Sequence, residues 1–147
     1  MCSSDLRLAG AADPASLNSH MEVTDRLSVL TRLSNAHSAR AGYVVAASVT
    51  FAKFLSEQGC TPADVSRLTE QFNRDQAAQP APQQLEATSQ YIQACQVTLQ
   101  LLRDRYGQWQ VTPDTMVHFK READANLYNT QQKVIRQSLA VMLAPRR

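Results

Sequence analysis

From Leu85 to Trp109 the chain carries a nearly unbroken heptad seam. Every seventh residue is Leu85, Ile92, Leu99 and Tyr106, and the offset series is Thr88, Cys95, Leu102 and Trp109. Gln83, Gln84, Glu86, Gln90, Gln93, Gln96, Gln100, Arg103, Asp104 and Arg105 fill the other faces. Such a helix cannot cover its own apolar stripe, so other helices must pack around it. The expected fold is therefore all-α, an antiparallel up-down bundle.

Length and composition agree with one such domain. A chain of 147 residues is long enough to bury a core, and four glycines and six prolines favour helices over strands. The net charge of +2, from 15 basic and 13 acidic residues spread along the chain, makes no field that announces nucleic acid. Charged residues make up 19%, with Gln, Ser, Thr and Ala in their place, which leans towards an extracytoplasmic (periplasmic) location. Residues 1–12 read as a disordered or artefactual segment. No apolar stretch makes Met1–Leu6 a secretory signal, and Cys2-Ser3-Ser4-Asp5-Leu6 is what the end of a common sequencing adapter encodes in frame. A native start is then missing, and with it any signal peptide or anchor. No run reaches the roughly 18 apolar residues of a membrane span. The nearest, Gly42 to Leu55, is interrupted by Ser48, Thr50 and Lys53.

Residues 13–147 read as a single bundle of two long and two shorter helices. The first starts at Asp13-Pro14 or frays to about Glu22, runs through Val23, Leu27, Leu30, Leu33, Ala41, Val44, Ala47, Phe51, Phe54 and Leu55, and ends before Gly59. Its stripe weakens between Ser34 and Gly42, and Gly42 is the point at which the helix would kink, or break in the alternative three-helix geometry. Thr61-Pro62-Ala63-Asp64 is a start signal for the second helix, which carries Val65, Leu68 and Phe72 and ends at Ala77–Pro82. The seam helix is the third and stops near Gly107. Thr112-Pro113-Asp114 repeats the start signal, so a fourth helix is expected from there to about Leu143. Its inward residues would be Met116, Phe119, Ala123, Leu127, Tyr128, Val134, Ile135, Leu139 and Met142.

Few constellations carry chemistry. Asp114, His118 and Glu122 at i, i+4, i+8 would share one helix face, as a divalent-metal site requires. His118 sits about 200° round the helix from Met116, so the row is read as an ordinary solvated face and no metal is expected. His37 falls in phase with Leu30 and Val44, with Arg40 one turn later, while Asn126, Thr130 and Gln131 dilute the stripe of the fourth helix. These residues either form a polar layer binding a small anion, with His37, Arg40, Asn126 and Gln131 as ligand contacts, or fix helix register. There is no Gly-x-Ser-x-Gly elbow, Cys-x-x-Cys pair or phosphate-cradling glycine loop, so neither an enzyme nor a cofactor is expected. Trp109 with Tyr106 stacks a ring or caps the end of the bundle. No acid follows Asp124, while Lys133, Arg136, Arg146 and Arg147 are basic. The helix dipole accounts for these cations, and with Leu139, Val141, Met142 and Leu143 they also suit a membrane surface.

The lengths of the helices carry the functional expectation. A first helix of about 37 residues spans about 55 Å, whereas a hairpin of the second and third reaches only about 26 Å. Beyond that hairpin Leu27, Leu30 and Leu33 on one long helix and Ile135, Leu139 and Met142 on the other would lie uncovered. The reading is a non-enzymatic helical-bundle interaction module that self-associates or docks a partner helix through those six residues. A small-ligand-sensing bundle built on His37 and Arg40 is the alternative.

Overall fold

The computed structural model describes residues 12–75, 81–114 and 116–144. The chain is mostly helical, and among the described residues there are four helices and one two-stranded sheet: α1 (His20–Glu57), α2 (Pro62–Asp75), α3 (Pro82–Asp104), β1 (Trp109–Val111), β2 (Val117–Phe119) and α4 (Glu122–Met142). A 3-10 turn at Pro14–Ser16 precedes α1, with Asp13 accepting from the Ala15 N–H. Arg26 ties it down through the Ser16 hydroxyl at 2.9 Å and the Ser16 carbonyl at 3.2 Å.

Local sequence explains the helix ends. Ser19 caps α1 by accepting from the Glu22 N–H at 3.1 Å, while the Glu22 carboxylate accepts from the Asn18 N–H at 2.9 Å. The helix runs unbroken through Gly42. It ends where Gly59, at φ +81°, lets the Gly59 N–H reach the Ser56 carbonyl and the Cys60 N–H reach that of Leu55. This is a Schellman closure, and the left-handed turn demands glycine. Thr61 then opens α2 by accepting from the Asp64 N–H at 3.2 Å.

α3 is the central element. Ten of its 23 residues are buried, against none in α2. Its seam residues Ile92, Cys95, Leu99 and Leu102 join Val23 and Leu30 of α1 and Ile135 of α4 in one core. Tyr91 and Ala94 widen the buried stripe because α3 is covered on two sides. α3 packs against both α1 and α4, whereas α2 packs on α1. α3 is antiparallel to α1: near its start the Leu85 carbonyl lies 2.9 Å from His37 Nε2, and just past its end the Tyr106 ring meets His20 edge-on at 5.7 Å. α4 is antiparallel to α3, with Arg105 paired to Asp124 at 3.0 Å at one end and Gln84 donating to the Ala144 carbonyl at the other.

Three expectations are corrected. The segment after Gly107 is a β-hairpin, pairing Trp109 with Phe119 and Val111 with Val117. Thr112 therefore closes a turn, its N–H donating to the Met116 carbonyl at 2.9 Å, and α4 begins only at Glu122. Tyr106 and Trp109 leave the helix once Gly107, at φ +78°, breaks it. Most consequential, α2 and α3 do not flank the same stretch of α1. α2 lies along its second half, where Phe51 stacks on Phe72, and α3 lies along its first half. Residues 1–11, the junction 76–80 and Arg146 and Arg147 lie outside the described residues.

Candidate functional site

The second half of α1 carries two apolar stripes. Val44, Ser48, Phe51 and Leu55 recur at intervals of four, three and four, and Phe51 of this stripe stacks on Phe72 of α2 with ring centroids 4.6 Å apart. Residues 43, 47, 50 and 54 repeat those intervals one position earlier, about 100° round the helix. One neighbouring helix covers one stripe. The other is left bare: Tyr43 is 74% exposed and Phe54 53%. Sequence phasing had placed Phe54 inward. Between the two rings Ala46, Ala47 and Thr50 form a low floor, and with Phe51 and Phe72 they bound an open groove of about 380 Å³.

The surroundings of this groove are nearly neutral. From Gly42 to Asp75 there are three basic residues (Lys53, Arg67, Arg74) and four acidic ones (Glu57, Asp64, Glu70, Asp75). Lys53 pairs with Glu57 at 3.8 Å and Arg67 with Asp64 at 3.4 Å, both at the surface. The hydrogen bond from Thr61, then that from Arg67, holds the Asp64 carboxyl below the usual carboxylate range. Exposed pairs of this kind contribute little stability but keep the rim wet.

The six residues expected to form an uncovered interface have different surroundings. Leu30 and Ile135 are 2% and 7% exposed in the core of the chain itself, and Leu27, Leu33, Leu139 and Met142 pack half-buried against it. The cover is α3, which occupies the position the length argument left empty. The polar layer does not assemble either. His37 bonds the Leu85 carbonyl at one end of α3. Asn126 is exposed beside Asp124, whose partner Arg105 caps the other end of α3. Gln131 is half-buried and Arg40 exposed. About 20 α3 residues, some 30 Å, separate His37 from Asn126, and Gln131, seven residues past Asp124 on the antiparallel α4, is still about 20 Å away along the axis.

Asp114, His118 and Glu122 fall on a turn, a strand and a helix start, so no common helix face aligns them. Among the described residues no group of three or more His, Cys, Asp or Glu side chains is arranged to hold a metal, and no helix is long and apolar enough to cross a membrane. Val141 and Leu143 at the end of α4 are exposed, 42% and 70%. Trp109 closes the end of the core by donating from Nε1 to the Leu102 carbonyl at 2.9 Å and meeting Tyr106 edge-on.

A second cavity, of about 380 Å³, lies between Asp13-Pro14 and Tyr91, Cys95, Tyr128 and Gln132. Burial pushes the Cys95 thiol up to about 11, against a smaller opposing effect of its hydrogen bond with Tyr91. Tyr91 is likewise raised by burial. Burial, then the negative charge of Asp13, raises Tyr128 to about 12. All three therefore stay protonated near neutrality, and Cys95 is a poor nucleophile there. Cys60 is half-buried in the turn between α1 and α2, and both cysteines are free.

Comparison with protein-family models, curated proteins and solved structures finds no match. The groove is thus read from its own chemistry. Its signal was present in the sequence as the doubled stripe, 43/47/50/54 beside 44/48/51/55, but counting both as one inward face concealed it.

Proposed function

We propose that the chain is a non-enzymatic helical interaction module: an antiparallel bundle of α1, α3 and α4 that presents the α1–α2 hairpin as a docking arm. A partner helix lies along the groove between Tyr43 and Phe54, with its apolar side chains over Ala47 and Thr50. The observation that carries the reading is the bare stripe on α1, two large aromatic rings flanking a small-residue floor. Apolar patches of this kind on a soluble chain usually serve association, and a helix laid in a groove matches the spacing. The docking surface therefore moves from the lower ends of α1 and α4, which the core uses, to the hairpin.

The test is site-specific photo-crosslinking in cells that produce the protein. A photoreactive phenylalanine analogue replaces Phe54 in one variant and the exposed Gln137 of α4 in another. Position 54 is expected to yield a covalent adduct with a polypeptide and position 137 to yield none. No adduct from position 54 above the control overturns the reading.

A further inference from the structure

The bare stripe of α1 is self-complementary in size, spacing and charge. We infer that the partner helix is α1 of a second copy of this chain, lying antiparallel across a two-fold axis between Ala47 and Thr50. The inference rests on the docking reading above and specifies its partner. A two-fold axis makes contacts reciprocal: if residue i meets residue j, then j meets i. With the axis at that point Tyr43 meets Phe54, Ala47 meets Thr50, and each contact occurs twice. The intervals from Tyr43 to Phe54 are four, three and four, the same when counted from either end. The small residues at the centre let the two backbones approach, and a Tyr43–Phe54 ring pair closes each end.

Charge selects this register. It sets Arg40 of one copy opposite Glu57 of the other at both ends of the overlap, where the long, exposed Lys53–Glu57 contact of 3.8 Å leaves the carboxylate able to accept a second cation. A longer antiparallel overlap centred on Ala36 would also cover Val29, which is 53% exposed, but would set Arg40 against Arg32. A parallel pairing sets Arg40 on Arg40 and Glu57 on Glu57. Like charges brought together in this way disfavour the wrong pairing. The hairpin, with three basic and four acidic residues, also offers an anionic lipid surface no net attraction.

Sedimentation equilibrium on the full chain tests the pairing, with four proteins compared: wild type, Tyr43→Lys, Phe54→Glu and the double variant. The wild type is expected to dimerise at micromolar concentration, and each single substitution to weaken it by about tenfold or more. The double variant is expected to regain most of that loss, because the introduced lysine of each copy faces the introduced glutamate of the other. Circular dichroism should show unchanged helicity throughout, since both side chains are exposed. A wild type that remains monomeric at about 100 µM overturns the inference. So does a dimer that the double variant fails to rescue, as a parallel pair would. A monomeric wild type with position-54 adducts to other polypeptides leaves the docking reading standing and removes only the self-pairing. Absence of any adduct removes both.

Discussion

Leu99 has no exposed surface and sits between Ile92 and Leu102 in the core, while Gln100, the next residue, is exposed. Leu99→Ala is therefore expected to destabilise the chain by roughly 2–5 kcal/mol and Gln100→Ala by almost nothing. Urea titration of the two variants checks the contrast, and equal shifts would mean that the phase of α3 is wrong. Cys95 adds a prediction in pH. Its folded-state value of about 11 lies above the ordinary value near 9, so the fold favours the neutral thiol. That contribution is complete below about pH 9 and is lost as pH rises towards 11, on the order of 2–3 kcal/mol over the window. Stability measured from pH 8 to 11 should therefore fall less steeply in Cys95→Ala than in the wild type. In a Cys2→Ser background, Cys60 should react with a thiol reagent in the native protein and Cys95 only after unfolding. Helix rise along α1 and α3 puts the two about 45 Å apart, so a bridge between them is out of reach.

At the scale of elements, Leu30 and Ile135 join α1 and α4 to α3, whereas Tyr43 and Phe54 are largely exposed and lie outside that core. Leu30→Asp/Ile135→Asp is expected to abolish cooperative unfolding, because it buries two unpaired carboxylates. Tyr43→Asp/Phe54→Asp should keep full helicity and the wild-type midpoint in dilute solution. Thermal scans by circular dichroism separate the pairs, and unfolding of both would mean that the hairpin face belongs to the core. Helices with strong local signals were legible in sequence: the heptads of α3, Thr61-Pro62 opening α2, and Gly59 closing α1. Thr112-Pro113-Asp114 was misread because the same three residues serve a helix cap and a hairpin turn. Only the pairing of Trp109 with Phe119 decides between them, and that contact is non-local. The hairpin face was missed for a related reason. A helical stripe records that a residue is apolar, and not which neighbour, if any, arrives to cover it.

At the scale of the whole molecule the stability is uneven. The half of α1 beside α3 shares one core with α3 and α4, while the half beside α2 has the Phe51–Phe72 stack and only half-buried apolar side chains, Val65, Leu68 and Phe72, on the α2 side. α2 has no buried residue, so its hydrogen bonds break without disturbing the core. Amides of α2 should therefore exchange with deuterium through local opening, and those in the middle of α3 only through global unfolding. In dilute solution the α3 amides are expected to be protected at least about tenfold more strongly than those of α2. Docking adds a second dependence. A partner helix in the groove stabilises the closed hairpin by mass action, so protection across residues 43–75 should rise with protein concentration while that of α3 stays level. Exchange followed by mass spectrometry at two concentrations measures both. Equal protection of α2 and α3 in the dilute sample would show one cooperative unit, and protection of the hairpin that ignores concentration would count against a second copy in the groove.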